Sequence, residues 1–154
     1  MNDQPTPKSK RNLRVRFGLA VTILGLVVFS LGVEPALFSL DRSPIVGFVQ
    51  IAVFLVGLAM VCLGGYITLN TLWRGREKTI AADIGYRLVS TGYVIAVASG
   101  MADVFGFGSQ PFPAIPYFGR WQAIGVIMGE IVIITGFLLL TPYSPRHKQP
   151  QLAE

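Results

Sequence analysis

Five polar side chains stand out in a chain that is otherwise largely apolar: Glu130, Asp103, Gln50, Gln122 and Arg120. Glu130 lies inside Pro116–Thr141, a stretch long enough to cross a membrane as a helix. Nine residues past Trp121, it stands about 13 Å along a helix that rises 1.5 Å per residue, near the midplane of a hydrocarbon core about 30 Å thick. An acid at that depth costs about 2.5–3.5 kcal/mol on insertion scales. Two chemistries fit it: a relay for protons or cations, and a carboxylic acid that hydrogen-bonds a neighbouring helix. Asp103 lies on the stripe Gly92, Ala96, Ser99, Asp103, Gly106, about a turn below the membrane surface. Gln50 and Gln122 belong at similar depth on other helices, and Arg120 reaches that level from a loop. Together with Asp103 they form a candidate outer polar cluster, read either as a ligand site or as structural glue that pins the adjoining loop.

These side chains must be held by membrane-spanning helices. In a chain of 154 residues, 52% are apolar and only 14% charged, with a mean hydropathy of +0.57. Soluble domains carry about 25% charged residues. The net charge of +5 does not point to nucleic acid, because the basic residues flank apolar runs and form no stripe. They suit a bilayer surface with anionic lipids. Cys62 is the single cysteine and His147 the single histidine, so an intrachain disulfide, a Cys/His zinc site or a Ser-His-Asp triad within the bundle is not expected. No P-loop or dinucleotide fingerprint accompanies the glycines. No metal or cofactor is expected, and the protein reads as a non-enzyme.

Four spans follow, at about 16–34, 45–72, 84–106 and 120–141. They make an all-α membrane domain over residues 14–143, between a disordered basic arm (1–13) and a polar tail (144–154). The first apolar run exceeds the 7–15 residues usual for a signal-peptide core and has no clean cleavage site, so it reads as an uncleaved helix. Ser43-Pro44 is a fitting start for the second helix. Tyr66, Trp73, Trp121 and Tyr143 are expected as interface anchors. Ser30, Ser90, Thr91, Ser99 and Thr135 are expected to bond back to their own helices. The loop Phe107–Gly119 has three prolines and four aromatic residues and cannot be regular helix throughout.

Small residues recur seven apart on every span: Gly18, Gly25 and Gly32; Gly57 and Gly64; Gly85, Gly92, Ser99 and Gly106; Gly129 and Gly136. Seven residues is two helical turns, so each set shares a face suited to close helix packing in lipid. A shift of 72 superposes Pro44 on Pro116, Gly47 on Gly119, Gln50 on Gln122, Gly57 on Gly129 and Gly64 on Gly136. A shift of 67 places Gly18 on Gly85 and Gly25 on Gly92. The chain therefore reads as a four-helix bundle of two tandem hairpins in parallel orientation, and Glu130 stands where the first copy has Leu58.

Function is less legible. The first reading is a small accessory or assembly component of a larger membrane complex, or a homo-oligomer. The rival is a small transporter or proton- or cation-conducting protein using Glu130 with Asp103. It needs a polar path, and the inner half has little beyond Thr22, Thr68 and Asn70. A weaker third is a membrane enzyme or a lipid- or quinone-binding protein using the aromatic outer loop.

Lys and Arg are divided eleven to two between the two sides of these spans, only Arg42 and Arg120 falling on the poorer side. The positive-inside rule then puts both termini in the cytoplasm of a prokaryotic cell, with the protein in its inner membrane. Reporter fusions at the two termini should read inside, and fusions at Asp41 and Gln110 outside; a terminus reporting outside would overturn this topology.

Overall fold

The computed structural model describes residues 7–34, 47–73, 77–108 and 118–142. Four helices follow in order: α1 (Pro7–Val33), α2 (Phe48–Leu72), α3 (Ile80–Gly100) and α4 (Arg120–Leu140). Each has a segment long and apolar enough to cross a membrane. No strand occurs among the described residues.

Helix α1 starts earlier than the sequence suggests, so residues 7–13 of the expected irregular arm are helical. Proline is tolerated at a first helical position, and the lysines and arginines that follow are good helix formers. Extending an existing helix also avoids the cost of a new nucleus. Gly47 and Gly119, matched by the 72-residue shift, both cap their helices in extended conformation, with φ/ψ of −84°/165° and −76°/160°. Ser43 and Pro44 lie outside the described residues. Helix α3 begins at Ile80, one turn before the expected start, because the Thr79 hydroxyl accepts a hydrogen bond from the Ala82 amide at 3.2 Å. Its far end closes in a Schellman turn: the Phe107 amide bonds the Ala102 carbonyl (3.1 Å) and the Gly106 amide the Asp103 carbonyl (3.2 Å). Gly106 supplies the positive φ, 83°, that this turn requires.

The helices pair as two antiparallel hairpins, α1 with α2 and α3 with α4. Glycine lets the backbones touch. A Cβ on Gly25 would lie 2.7 Å from the Val61 amide nitrogen, and one on Gly129 would lie 2.6 Å from the Gly92 carbonyl. The contacts repeat in register. Gly18 meets Gly64 and Gly25 meets Gly57 in the first hairpin; Gly85 meets Gly136 and Gly92 meets Gly129 in the second. Those are the positions the two shifts equate, so the internal repeat is a repeat of packing.

The hairpins join chiefly through α2 and α3. Gly100 rests against Ile51, Phe54 and Leu55, and the Tyr93 hydroxyl reaches toward the Leu55 carbonyl at 3.5 Å. One end is tied more tightly. Tyr66 stacks on Tyr86 (ring centroids 4.3 Å apart) and donates to its carbonyl at 2.7 Å, while Trp73 Nε1 donates to the Leu140 carbonyl at 2.9 Å. Tyr66 and Trp73 therefore bridge the two hairpins, the Trp73 indole by satisfying a carbonyl at the open end of α4. Trp121, 80% exposed, keeps the position of an anchor. Tyr143 lies outside the described residues. Ser30, Ser90 and Thr135 bond back to carbonyls three or four residues earlier, as expected.

Substitution at the seam should separate these contacts from ordinary glycine effects. Gly129→Ala, which drives a methyl into backbone, should destabilise the fold by about 1–3 kcal/mol. Gly100→Ala, whose Cβ would find only 3.6 Å side-chain contacts, should be neutral or stabilise by up to about 1 kcal/mol through helix propensity. Thermal unfolding in mild detergent measures both; equal effects would contradict the seam as the main packing contact.

Candidate functional site

The expected outer cluster is divided between separate places. Asp103 is buried, at 4% exposure, and belongs to the turn that ends α3. Its carboxylate lies so close to Gly108 that a side chain there would collide with it. Gln122 is also buried, and its side-chain carbonyl accepts the Gly119 amide at 2.6 Å, capping α4. Beside them a cavity of about 420 Å³ opens between Ser99, Ala102, Gly108, Trp121 and Gln122. Arg120 is exposed at the start of α4 and makes no hydrogen bond or ion pair among the described residues.

Gln50 faces elsewhere. It shares with Glu130 a groove of about 280 Å³, walled by α1 and α4 and floored by α2. Sequence reasoning grouped Gln50 with Asp103 by depth alone; the structure groups it with Glu130 by face. Phe54 forms the floor, edge-on to Phe29 and Phe118 at centroid distances of 6.3 and 6.1 Å. Glu130 is the eleventh of the 21 residues of α4 and sits at the deep end. Neither Glu130 nor Gln50 makes a side-chain hydrogen bond or ion pair among the described residues.

The internal repeat explains why the groove exists. Its α4 wall is Ala123, Val126, Ile127 and Glu130. The 72-residue shift maps these onto Ile51, Phe54, Leu55 and Leu58, all of them core residues on α2. On α2, Ile51, Phe54 and Leu55 receive the small end of α3. By the same symmetry α4 should receive α1, yet α1 and α4 make no close backbone approach. The reason is side-chain size. Where α3 presents Ala96 and Gly100, the 67-residue shift gives α1 Phe29 and Val33, which hold it off. The groove is thus an unclosed counterpart of the α2/α3 interface, with an acid where that interface has Leu58.

Chemically, this arrangement offers an apolar trough with a single carboxyl at mid-depth and an amide nearer the mouth. It is suited to a mostly hydrophobic occupant that brings one hydrogen-bond donor or cation to Glu130. It offers no nucleophile–base pair, and no group of three or more His, Cys, Asp or Glu able to hold a metal ion occurs among the described residues. Toward the Trp73 end, Thr22 and Thr68 commit their hydroxyl protons to the Gly18 and Gly64 carbonyls at 2.9 and 2.8 Å. They form part of the glycine seam and do not extend the trough. Cys62 is buried in the core beside them in sequence, as a small apolar filler.

Comparison with protein-family models, with curated proteins and with solved structures returned no match. The fold therefore defines the class: a small multi-pass integral membrane protein built from two helical hairpins.

Because no partner among the described residues repays the burial of Glu130, Glu130→Leu should leave the fold intact and raise its thermal midpoint, whereas Glu130→Gln should leave it close to wild type. A loss of stability in the leucine variant would mean that the carboxyl is bonded within the folded chain after all.

Proposed function

We propose that this protein is a non-catalytic accessory or assembly component of a prokaryotic inner-membrane complex, with both termini in the cytoplasm. The observation that carries this reading is the groove between α1 and α4. Its α4 wall matches, position for position, the surface by which α2 binds a helix within the same chain. A face of that composition, left open and bearing an acid with no partner among the described residues, suits an apolar segment of another membrane protein that supplies a donor at mid-depth. The charge distribution supports the orientation, and the glycine seam within each hairpin supports a rigid scaffold more than a moving one.

Filling the groove tests the proposal. Val126→Trp should abolish the higher-mass assembly that wild-type protein forms after gentle solubilisation, as weighed by light scattering, while retaining helicity and insertion. Glu130→Leu should weaken the assembly at least tenfold, and Glu130→Gln should largely preserve it. Monomeric wild-type protein, or an assembly indifferent to Val126→Trp, overturns the proposal.

A second reading, proton or cation conduction, is favoured by one observation: Gln50 and Glu130 occupy the same trough, which leads from the Gly47 end to mid-membrane. Flux in proteoliposomes that Glu130→Gln abolishes would establish it in place of the assembly role. The committed hydroxyls of Thr22 and Thr68 in the other half weigh against it.

A further inference from the structure

We infer that the end of the α1/α2 hairpin near Arg11 is a binding site for the phosphate of an anionic phospholipid. The glycine seam itself leads there. Gly18 faces Gly64 and Gly25 faces Gly57; one further step of seven in the same register sets Arg11 opposite Thr71. With a long cation and a hydroxyl residue replacing two glycines, the helices no longer close. A cleft of about 270 Å³ opens, lined by Arg11, Asn12, Val15, Arg16, Thr71 and Leu72.

Its donors are uncommitted. Neither Arg11 nor Arg16 makes an ion pair or hydrogen bond among the described residues, where the ion pair present is Arg87 with Asp83 at 3.1 Å. The second hairpin provides an internal comparison. The 67-residue shift carries Arg11 onto Lys78, whose ammonium lies over the Tyr86 ring at 5.2 Å and is thereby used inside the fold. Among the described residues the cation of the first hairpin has no such acceptor. Two guanidinium groups and the Asn12 amide can share a phosphodiester, for which planar forked donors are well matched. Thr71 contributes no proton, since its hydroxyl already donates to the Ile67 carbonyl at 2.6 Å.

The rest of the lining selects a lipid over a free anion. Val15 and Leu72 are apolar: Val15 follows the basic first turns of α1, and Leu72 is the last residue of α2. A phospholipid can place its phosphate on the arginines and its ester and first methylenes against these side chains; inorganic phosphate has nothing to offer them. Basic pockets between transmembrane helices at the headgroup level recognise anionic lipids by this chemistry.

The test is lipid retention by the full chain in mild detergent, measured by native mass spectrometry with phosphatidylglycerol, phosphatidylcholine and inorganic phosphate as separate probes. Wild-type protein should retain one phosphatidylglycerol at least tenfold more tightly than phosphatidylcholine. Arg11→Gln combined with Arg16→Gln should bring the two lipids to parity. Arg14→Gln removes a charge from the same helix at a position that does not line the cleft, and should change the preference less than twofold. Arg11→Lys keeps the charge without the fork and should give an intermediate value, which serves if the double variant does not fold. Equal retention of both lipids by wild type, an equal loss in Arg14→Gln, or phosphate competing at lipid-equivalent concentration would each overturn the site.

Discussion

Close backbone approach across a line of glycines is the contact on which the rest of this structure depends. In lipid there is no hydrophobic gain from pressing one apolar helix against another, so packing contacts must hold the pairs together. Placing Gly18, Gly25, Gly57 and Gly64 at the α1/α2 contact, and their counterparts at α3/α4, brings carbonyls and amides of facing helices within touching distance. Both hairpins are fixed by this one device. The groove and the Arg11 cleft lie where it stops, on a face turned away from the seams and at the end of one of them.

The hairpins are joined by a different chemistry. Near Trp73 the joint is polar and aromatic: Tyr66 on Tyr86, and the Trp73 indole on the last carbonyl of α4. Toward Gly47 it is a size match between α2 and the small end of α3. The α1/α4 pair alone has no close backbone approach to match the α2/α3 joint, and the groove that holds Glu130 lies there.

Much of this was legible in the sequence, because apolar length and glycine spacing are one-dimensional signals. The four spans, their approximate ends, the two shifts and the seam faces follow from counting. Gly47 and Gly119 prove to be matched helix caps, as their shared register implies. The grouping of polar residues was less legible. Depth along a helix is readable from residue number, but the direction of a side chain around the bundle depends on which helices pack together. Here the bulk of Phe29 and Val33 on α1, across the groove from α4, bears on that choice, and these segments are far apart in sequence. So equal depth groups Gln50 with Asp103, and the structure gives it a face shared with Glu130. Trp73 is a related case: an aromatic at a helix end suits a headgroup anchor, and nothing local reveals its bond to the Leu140 carbonyl.

The repeat also sharpens what counts as unusual in this chain. Among so many apolar residues, a polar one is informative only against its counterpart in the other hairpin. Gln122 caps its helix, whereas Gln50 lines the groove without a hydrogen-bond partner among the described residues. Lys78 lies on an aromatic ring, whereas Arg11 has no acceptor among the described residues. Leu58 is in the core, whereas Glu130 lies at the bottom of an open trough. Among the described residues, one copy in each pair meets a need internal to the fold and the other does not. The repeat of packing allows that freedom: the seam holds each hairpin together, so residues off the seam can differ without loss of the bundle. The polar positions without a partner among the described residues are then the ones at which contacts from outside the chain gain most, because the polar group has already been brought into the membrane.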